Sequence, residues 1–326
     1  MIVDESFARA SYAIASTLVL ISIIISGILI GLGKAFSSKR LSAFGFEELF
    51  QSIINGALVG GAFTITTIID SLGKESVPPG LLFDGCLGDA SILATSLCSL
   101  NKVYSQLSAL MQSSAVTTNI IGFVSKLSFT FGSVSAQPFF SLESSATNLW
   151  LIQFYLLIIM VATNIQYLIV DFLSKYALSL LFPIGIFFRS FFATRKIGGA
   201  FIGLAIGAYI FFPLSIYLSL SLESDGWIAY EGLSSTLSDF HADFGAIASV
   251  DLSDGANIRH QIDRLRSEKF VDRVAEIFAK YSALLSLLTM QNIIMPFFGF
   301  LISAFAVIQL SRAFGGEIFG VNFWMV

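Results

Sequence analysis

Apolar residues fill this chain in blocks longer than a soluble core needs. Nearly unbroken apolar stretches cover about residues 10–32, 49–69, 149–170, 199–222 and 281–310. Each reaches the roughly 20 residues with which a helix crosses a hydrocarbon core of about 30 Å. A further stretch, 176–188, is only about 13 residues long and contains Pro183-Ile184-Gly185. Its length and the helix break expected there predict a re-entrant or interfacial segment. The last block exceeds one crossing, and Pro296 within it predicts a kink. The pattern predicts an all-α, polytopic helical membrane protein with about five transmembrane helices plus one re-entrant or interfacial segment.

The polar stretches complete the plan. It has a first pair of spans (1–69) and an external segment (70–147). A middle block (148–222) holds spans, the re-entrant segment and a charged turn. A second external segment (223–280) precedes a last span with its tail (281–326). The first external segment is bracketed by Pro78-Pro79-Gly80 and Gln137-Pro138, which read as turns. Between them Ile92, Leu93, Leu97, Leu100, Tyr104, Leu107, Leu110 and Met111 recur at helical spacing, predicting one or two amphipathic helices lying against the membrane or a partner. In the second, Trp227 and Tyr230 read as interfacial aromatics. Ile258, Ile262, Leu265, Phe270, Val274, Ile277 and Phe278 then mark the apolar side of a helix expected to continue into the last span.

Composition sharpens the class. Of 326 residues 55% are hydrophobic and 12% charged, against about 25% charged in a soluble domain. The placement of cations predicts orientation. Lys34, Lys39 and Arg40 follow the first span; Arg189, Arg195 and Lys196 follow the re-entrant segment; Arg312 follows the last span. All fall on one side if 176–188 does not cross, which predicts an inner (cytoplasmic) membrane protein with its N-terminus outside and its C-terminus cytoplasmic. Asp4 and Glu5 against a lone Arg9 before a long apolar run favour a retained span over a cleaved leader. Both cysteines, Cys86 and Cys98, fall in the first external segment. There an oxidising exterior favours a disulfide over two buried thiols.

Motifs for catalysis are sparse. The chain has two histidines, and it lacks the HExxH and CxxC spacings. We predict no enzyme activity, no catalytic residues, no metal and no cofactor. Asp239, His241 and Asp243 form a weak candidate metal cluster, with solvated acids the plainer reading. Gly31-Leu32-Gly33-Lys34 lacks the spacing of a phosphate-binding loop, so any energy source is a separate protein. Asp171 near Lys175 reads as a solvated or paired carboxylate. The polar groups within spans are amides: Gln51 and Asn55, Asn164 and Gln166, Gln291 and Asn292. They read as interhelical glue ahead of pore lining. Gly56 and Gly60, and Gly199, Gly203 and Gly207, recur every four residues, a spacing that lets helices pack closely within a subunit or between copies.

Residues 180–213 read LLFPIGIFFRSFFATRKIGGAFIGLAIGAYIFFP. This stretch resembles the polytopic inner-membrane channel subunit of type IV secretion and conjugation systems, including archaeal DNA-transfer relatives. In that family an apolar segment with a proline leads into a Phe-x-x-Thr-Arg-like turn and then a span. The matching positions are Pro183, Phe191 or Phe192, Thr194, Arg195 and Lys196; where the family often has an aromatic, this chain has Gly198-Gly199. The resemblance implies a homo-oligomeric subunit at a translocation path, embedded in membrane lipid. Its implied partners are a separate cytoplasmic ATPase and other secretion or pilus subunits. The turn, with Arg189 beside it, would then dock acids of the ATPase or meet passing DNA. The residues alone also fit a stand-alone solute transporter or permease, or a scaffold that anchors an external fibre or pilus.

Overall fold

A segment buried in hydrocarbon must satisfy its backbone polar groups internally, which leaves the helix as the solution for a chain of isolated apolar stretches. The computed structural model describes residues 5–75, 86, 92–131, 133–221, 224–245, 247, 263, 265 and 269–316. Its helices are α1 (Glu5–Ala35), α2 (Lys39–Glu75), α3 (Ile92–Ser125), α4 (Leu142–Phe172), α5 (Phe182–Arg189), α6 (Arg195–Ser221), α7 (Ser224–Phe244), α8 (Phe270–Thr289) and α9 (Met295–Ala313). A short antiparallel hairpin, β1 (Phe129–Phe131) with β2 (Val134–Ala136), joins α3 to α4. Among the described residues five helical stretches are long and apolar enough to cross a membrane: Tyr12–Ala35, Ile92–Ser125, Leu142–Arg189, Arg195–Ser219 and Phe270–Ala313. The protein is an all-α polytopic membrane protein.

Three details differ from the expectation. First, Pro183-Ile184-Gly185 does not break the chain. Helix runs from Leu142 to Arg189, so the expected span at 149–170 and the expected re-entrant segment at 176–188 are one element. The reason is the wider π-helix at Leu173–Leu181, in which the Phe182 N–H donates to the carbonyl of Ala177, five residues back. In a regular α-helix the ring of Pro183 would strike the carbonyl four residues earlier; the extra residue in the turn moves that carbonyl aside. Pro296 is handled alike, behind a π stretch at Met290–Ile294. Second, the expected external helix is a single helix, Ile92–Ser125, and it qualifies as a span by length and apolarity. Third, the expected second span, 49–69, is helical within α2 but is not one of the five, and several of its side chains from residue 63 onward lie outside the described residues. Pro78, Pro79, Gly80, Ile258 and Ile262, and the side chain of Trp227, also lie outside them.

The chain divides into two compact units. Unit 1 comprises Met1–Cys98, Tyr167–Leu218 and Met295–Val326. Its core joins Val19 of α1 and Ala62 of α2 to Phe182 and Ile186 of α5 and to Ile202, Ala205 and Ile206 of α6. Cys86 and Cys98 form a disulfide that ties the chain before α3 to its first turns, with a Cα–Cα distance of 5.7 Å. Unit 2 comprises Ser99–Gln166 and Ser219–Ile294. There α8 buries Phe270, Val274, Ile277, Tyr281, Leu284 and Leu288 at helical spacing. Arg273, Glu276 and Lys280 form ion pairs along it, and the Lys280 ammonium also donates to the Thr236 hydroxyl of α7 at 2.5 Å.

Candidate functional site

The turn between α5 and α6 carries the residues singled out in the sequence. Helix α5 ends at Arg189, a turn follows at Ser190 and Phe191, and one turn of 3-10 helix at Phe192–Thr194 leads into α6. The Thr194 hydroxyl donates to the Phe188 carbonyl at 2.7 Å, which fixes the reversal. Gly185 and Gly198 let the two helices close: a Cβ at Gly198 would meet the backbone of Arg189 and of Gly185.

The two arginines of this turn point inward. Arg189 is 7% exposed, and its guanidinium donates to the Phe314 carbonyl just past the end of α9. A cation suits the partial negative charge of unsatisfied carbonyls at a helix C-terminus. Arg195 places a guanidinium nitrogen 2.6 Å from Glu48 Oε1, and another 3.7 Å from Glu47 Oε1. The Arg195 and Glu48 side chains are 17% and 11% exposed. Glu48 lies inside α2, with its carboxylate turned to Arg195. Within the chain the Arg195 charge is thus already paired with Glu48. Phe191 and Lys196 remain at the surface, Pro183 is buried in α5, and the Phe192 side chain lies outside the described residues.

Glycines complete the clasp. A Cβ at Gly199 would meet the backbone of Phe314 and Gly316, one at Gly203 the backbone of Ser311, and one at Gly207 Val307. The stripe on α6 is thus filled by α9 of the same chain. Gly56 abuts Val19 at ordinary contact distance, and Gly60 faces open space. The α9 C-terminus closes on itself, with Gly316 N–H donating to Ser311 O at 2.7 Å and Gly315 in the left-handed region at φ 73°. Unit 1 therefore brings together the α5–α6 turn and the end of α9, and the α1–α2 turn lies about nine residues of α2 from the Glu48 contact. These carry Lys34, Lys39, Arg40, Arg189, Arg195, Lys196 and Arg312.

Of the amides singled out in the sequence, Asn55 is buried in unit 1, and Gln166, Gln291 and Asn292 are buried in unit 2. Gln166 Nε2 donates to the Asn292 carbonyl at 2.7 Å. The bond joins α4 to the π stretch Met290–Ile294 that precedes Pro296. Thr163 lies beside the Asn292 amide, at 3.4 Å. Asn164 is exposed instead. In unit 2 also, His241 turns to α3, with Nε2 2.9 Å from the Thr117 hydroxyl oxygen. The Thr117 hydroxyl lies 2.9 Å from the Ser113 carbonyl, so its one proton goes there and His241 is the donor to Thr117. Burial holds the imidazole below its ordinary value of 6.5, opposed by the hydrogen bond to Ser113. Asp239 is exposed, and among the described residues no three His, Cys, Asp or Glu side chains are grouped to hold a metal.

Sequence reasoning missed Glu48 and the Phe314 carbonyl. Glu48 carried a signal, a carboxylate at the mouth of an apolar run that needs a cation nearby. The carbonyl carried none. No protein-family model matches the chain, and no curated protein or solved structure proved similar to it.

Proposed function

We propose that the protein is an integral membrane component of a type IV secretion or conjugation-like machine, helping to form the path for DNA or protein translocation. The observation that carries this reading is the build of the α5–α6 turn. Arg189 and Arg195 lock it to α9 and α2, and Phe191 and Lys196 are presented on a rigid base. A docking surface for a separate ATPase needs such a base, because an ordered contact loses little entropy on binding. Docking then rests on Phe191 and Lys196, with Arg189 and Arg195 acting as supports. The cations carried by the α1–α2 turn, the α5–α6 turn and the end of α9 support a cytoplasmic placement of these segments. The disulfide supports an oxidising compartment for the chain near Cys86.

Gentle purification from native membranes, with the particle mass and its companions measured, tests the reading. A large multi-copy particle carrying an ATPase and pilin-like proteins is expected. A lone monomer or dimer of 35.3 kDa chains would overturn it in favour of a stand-alone transporter. Combining Lys196→Glu with Phe191→Ala should release the ATPase, with the melting temperature of the variant read alongside to separate loss of docking from loss of fold.

A further inference from the structure

The α1–α2 turn has features that neither packing nor the α5–α6 clasp uses. Its two helices approach closely, since a Cβ at Gly33 would meet the backbone of Ser42 and one at Gly45 would meet Ile30. The tip is therefore a stiff hairpin. It is closed by Ser38 N–H donating to Gly33 O at 2.8 Å, with Ser37 in the left-handed region at φ 51°. Glu48, where α2 meets Arg195, is nine residues past Lys39, which puts the start of α2 roughly 13 Å away along the helix.

Residues 27–46 contain Lys34, Lys39 and Arg40 and no acid, and all three cations are exposed. Beside them are exposed large apolar side chains: Ile28, Leu32, Phe36 at 75% and Phe46 at 54%. Ile28 and Leu32 continue the exposed stripe of Leu20, Ile21, Ile24 and Ile25 along α1. Cations set among apolar side chains that extend a lipid-facing stripe match the boundary where acyl chains give way to phosphates. A nucleic-acid surface would match the cations but leave Ile28 and Leu32 in water.

We propose that the tip of the α1–α2 hairpin binds anionic phospholipid headgroups, with Lys34, Lys39 and Arg40 on the phosphates and Phe36 and Phe46 among the upper acyl chains. This site is independent of the secretion reading and holds for a transporter equally.

The test is electron spin resonance of spin-labelled lipids around the full chain in phosphatidylcholine vesicles. Labelled phosphatidylglycerol should be preferred over labelled phosphatidylcholine by roughly threefold at low salt. The preference should fall toward unity near 1 M salt, where the screening length is about 3 Å. The triple variant Lys34→Gln, Lys39→Gln, Arg40→Gln should lose most of the preference. If that variant does not fold, the salt titration of the unaltered chain decides: a preference that is absent, or that salt does not weaken, overturns the proposal. A folded triple variant with the full preference also overturns it. Displacement of the labelled lipid by a short DNA duplex would reassign the surface to nucleic acid.

Discussion

The two units hold their helices together in opposite ways. In unit 1 the seam between α6 and α9 is made of Gly199, Gly203 and Gly207 against the backbone of Ser311 to Gly316 and Val307. The seam between α1 and α2 includes Ser22 and Ser52, hydroxyl to hydroxyl at 2.6 Å, with Gly33 against Ser42 and Gly45 against Ile30. In unit 2 the corresponding work falls to large rings. Phe240, Phe244 and Phe270 are fully buried with centroids 4.9–5.5 Å apart, and Tyr281 is buried beyond them. Lipid tails are as apolar as leucine, so burying a large side chain between spanning helices gains little. Close backbone approach gains dispersion contacts instead. Where water competes, burying a phenylalanine is worth several kcal/mol. The difference teaches that unit 2 is packed in the manner of a water-soluble helical bundle, although α4 carries one of the most apolar stretches of the chain through it.

The sharpest break of this comparison comes from the ion pair that joins α2 to α6 in unit 1, Glu48 with Arg195. Glu48→Ala takes the nearer of two acids from the half-buried Arg195 and should cost about 1–3 kcal/mol, read as a fall in the detergent melting temperature. The double variant Glu48→Met, Arg195→Met should cost distinctly less than Glu48→Ala alone, because no charge is then stranded. In unit 2, Phe270→Ala should cost about 3–5 kcal/mol through loss of ring burial and the cavity left behind. An equal cost in lipid bilayers and detergent would fit a water-type core. The matching change in unit 1 is enlargement. Gly203→Val should cost about 1–3 kcal/mol or more by driving α6 from α9, whereas Gly60→Val, into open space, should be close to neutral. Equal effects at the two glycines would remove the distinction between a filled seam and an open face.

Two smaller effects refine it. Ser37 occupies the left-handed position that Gly315 fills at the end of α9. Ser37→Gly should therefore stabilise unit 1 by up to about 1 kcal/mol, if relief of the strained φ outweighs the added freedom of the unfolded chain. Hydrogen exchange of the α1–α2 turn should show it. The smallest effect is the titration of His241. Its folded pKa lies below the ordinary 6.5, so the unfolded chain takes up the proton first as the pH falls. Stability of unit 2 is then constant at neutral pH and above. It falls as the pH drops through 6.5 and levels off below the folded value. His241→Gln should flatten that part of the profile, as measured by melting temperature between about pH 7.5 and pH 5.

Much of this was legible in the sequence, because the controlling physics is local. A run such as 10–32 must be helical wherever it meets lipid, and Phe270, Val274, Ile277, Tyr281, Leu284 and Leu288 announce one face of a helix by spacing alone. The i, i+4 pair Asp171–Lys175, at 2.6 Å, follows from helix geometry in the same way. The break predicted at Pro183 failed because a proline forbids one hydrogen bond without forbidding a helix. Whether the chain ends there or widens into a π turn depends on what the neighbouring helices reward, and here Phe182 and Ile186 are buried in the unit 1 core.

By itself, then, the sequence determined the class: an all-α membrane protein whose apolar blocks must satisfy their own hydrogen bonds, with cations at the ends of those blocks. Tertiary structure decided which charges are spent inside the molecule. Arg189 and Arg195 read as a surface in one dimension and are internal fastenings in three, because Glu48 and the Phe314 carbonyl come from positions more than a hundred residues away. It decided likewise that Gly199, Gly203 and Gly207 are filled by α9 and that Gly60 is not. Spacing fixes which residues share a helix face; only the approach of another chain segment fixes what that face meets.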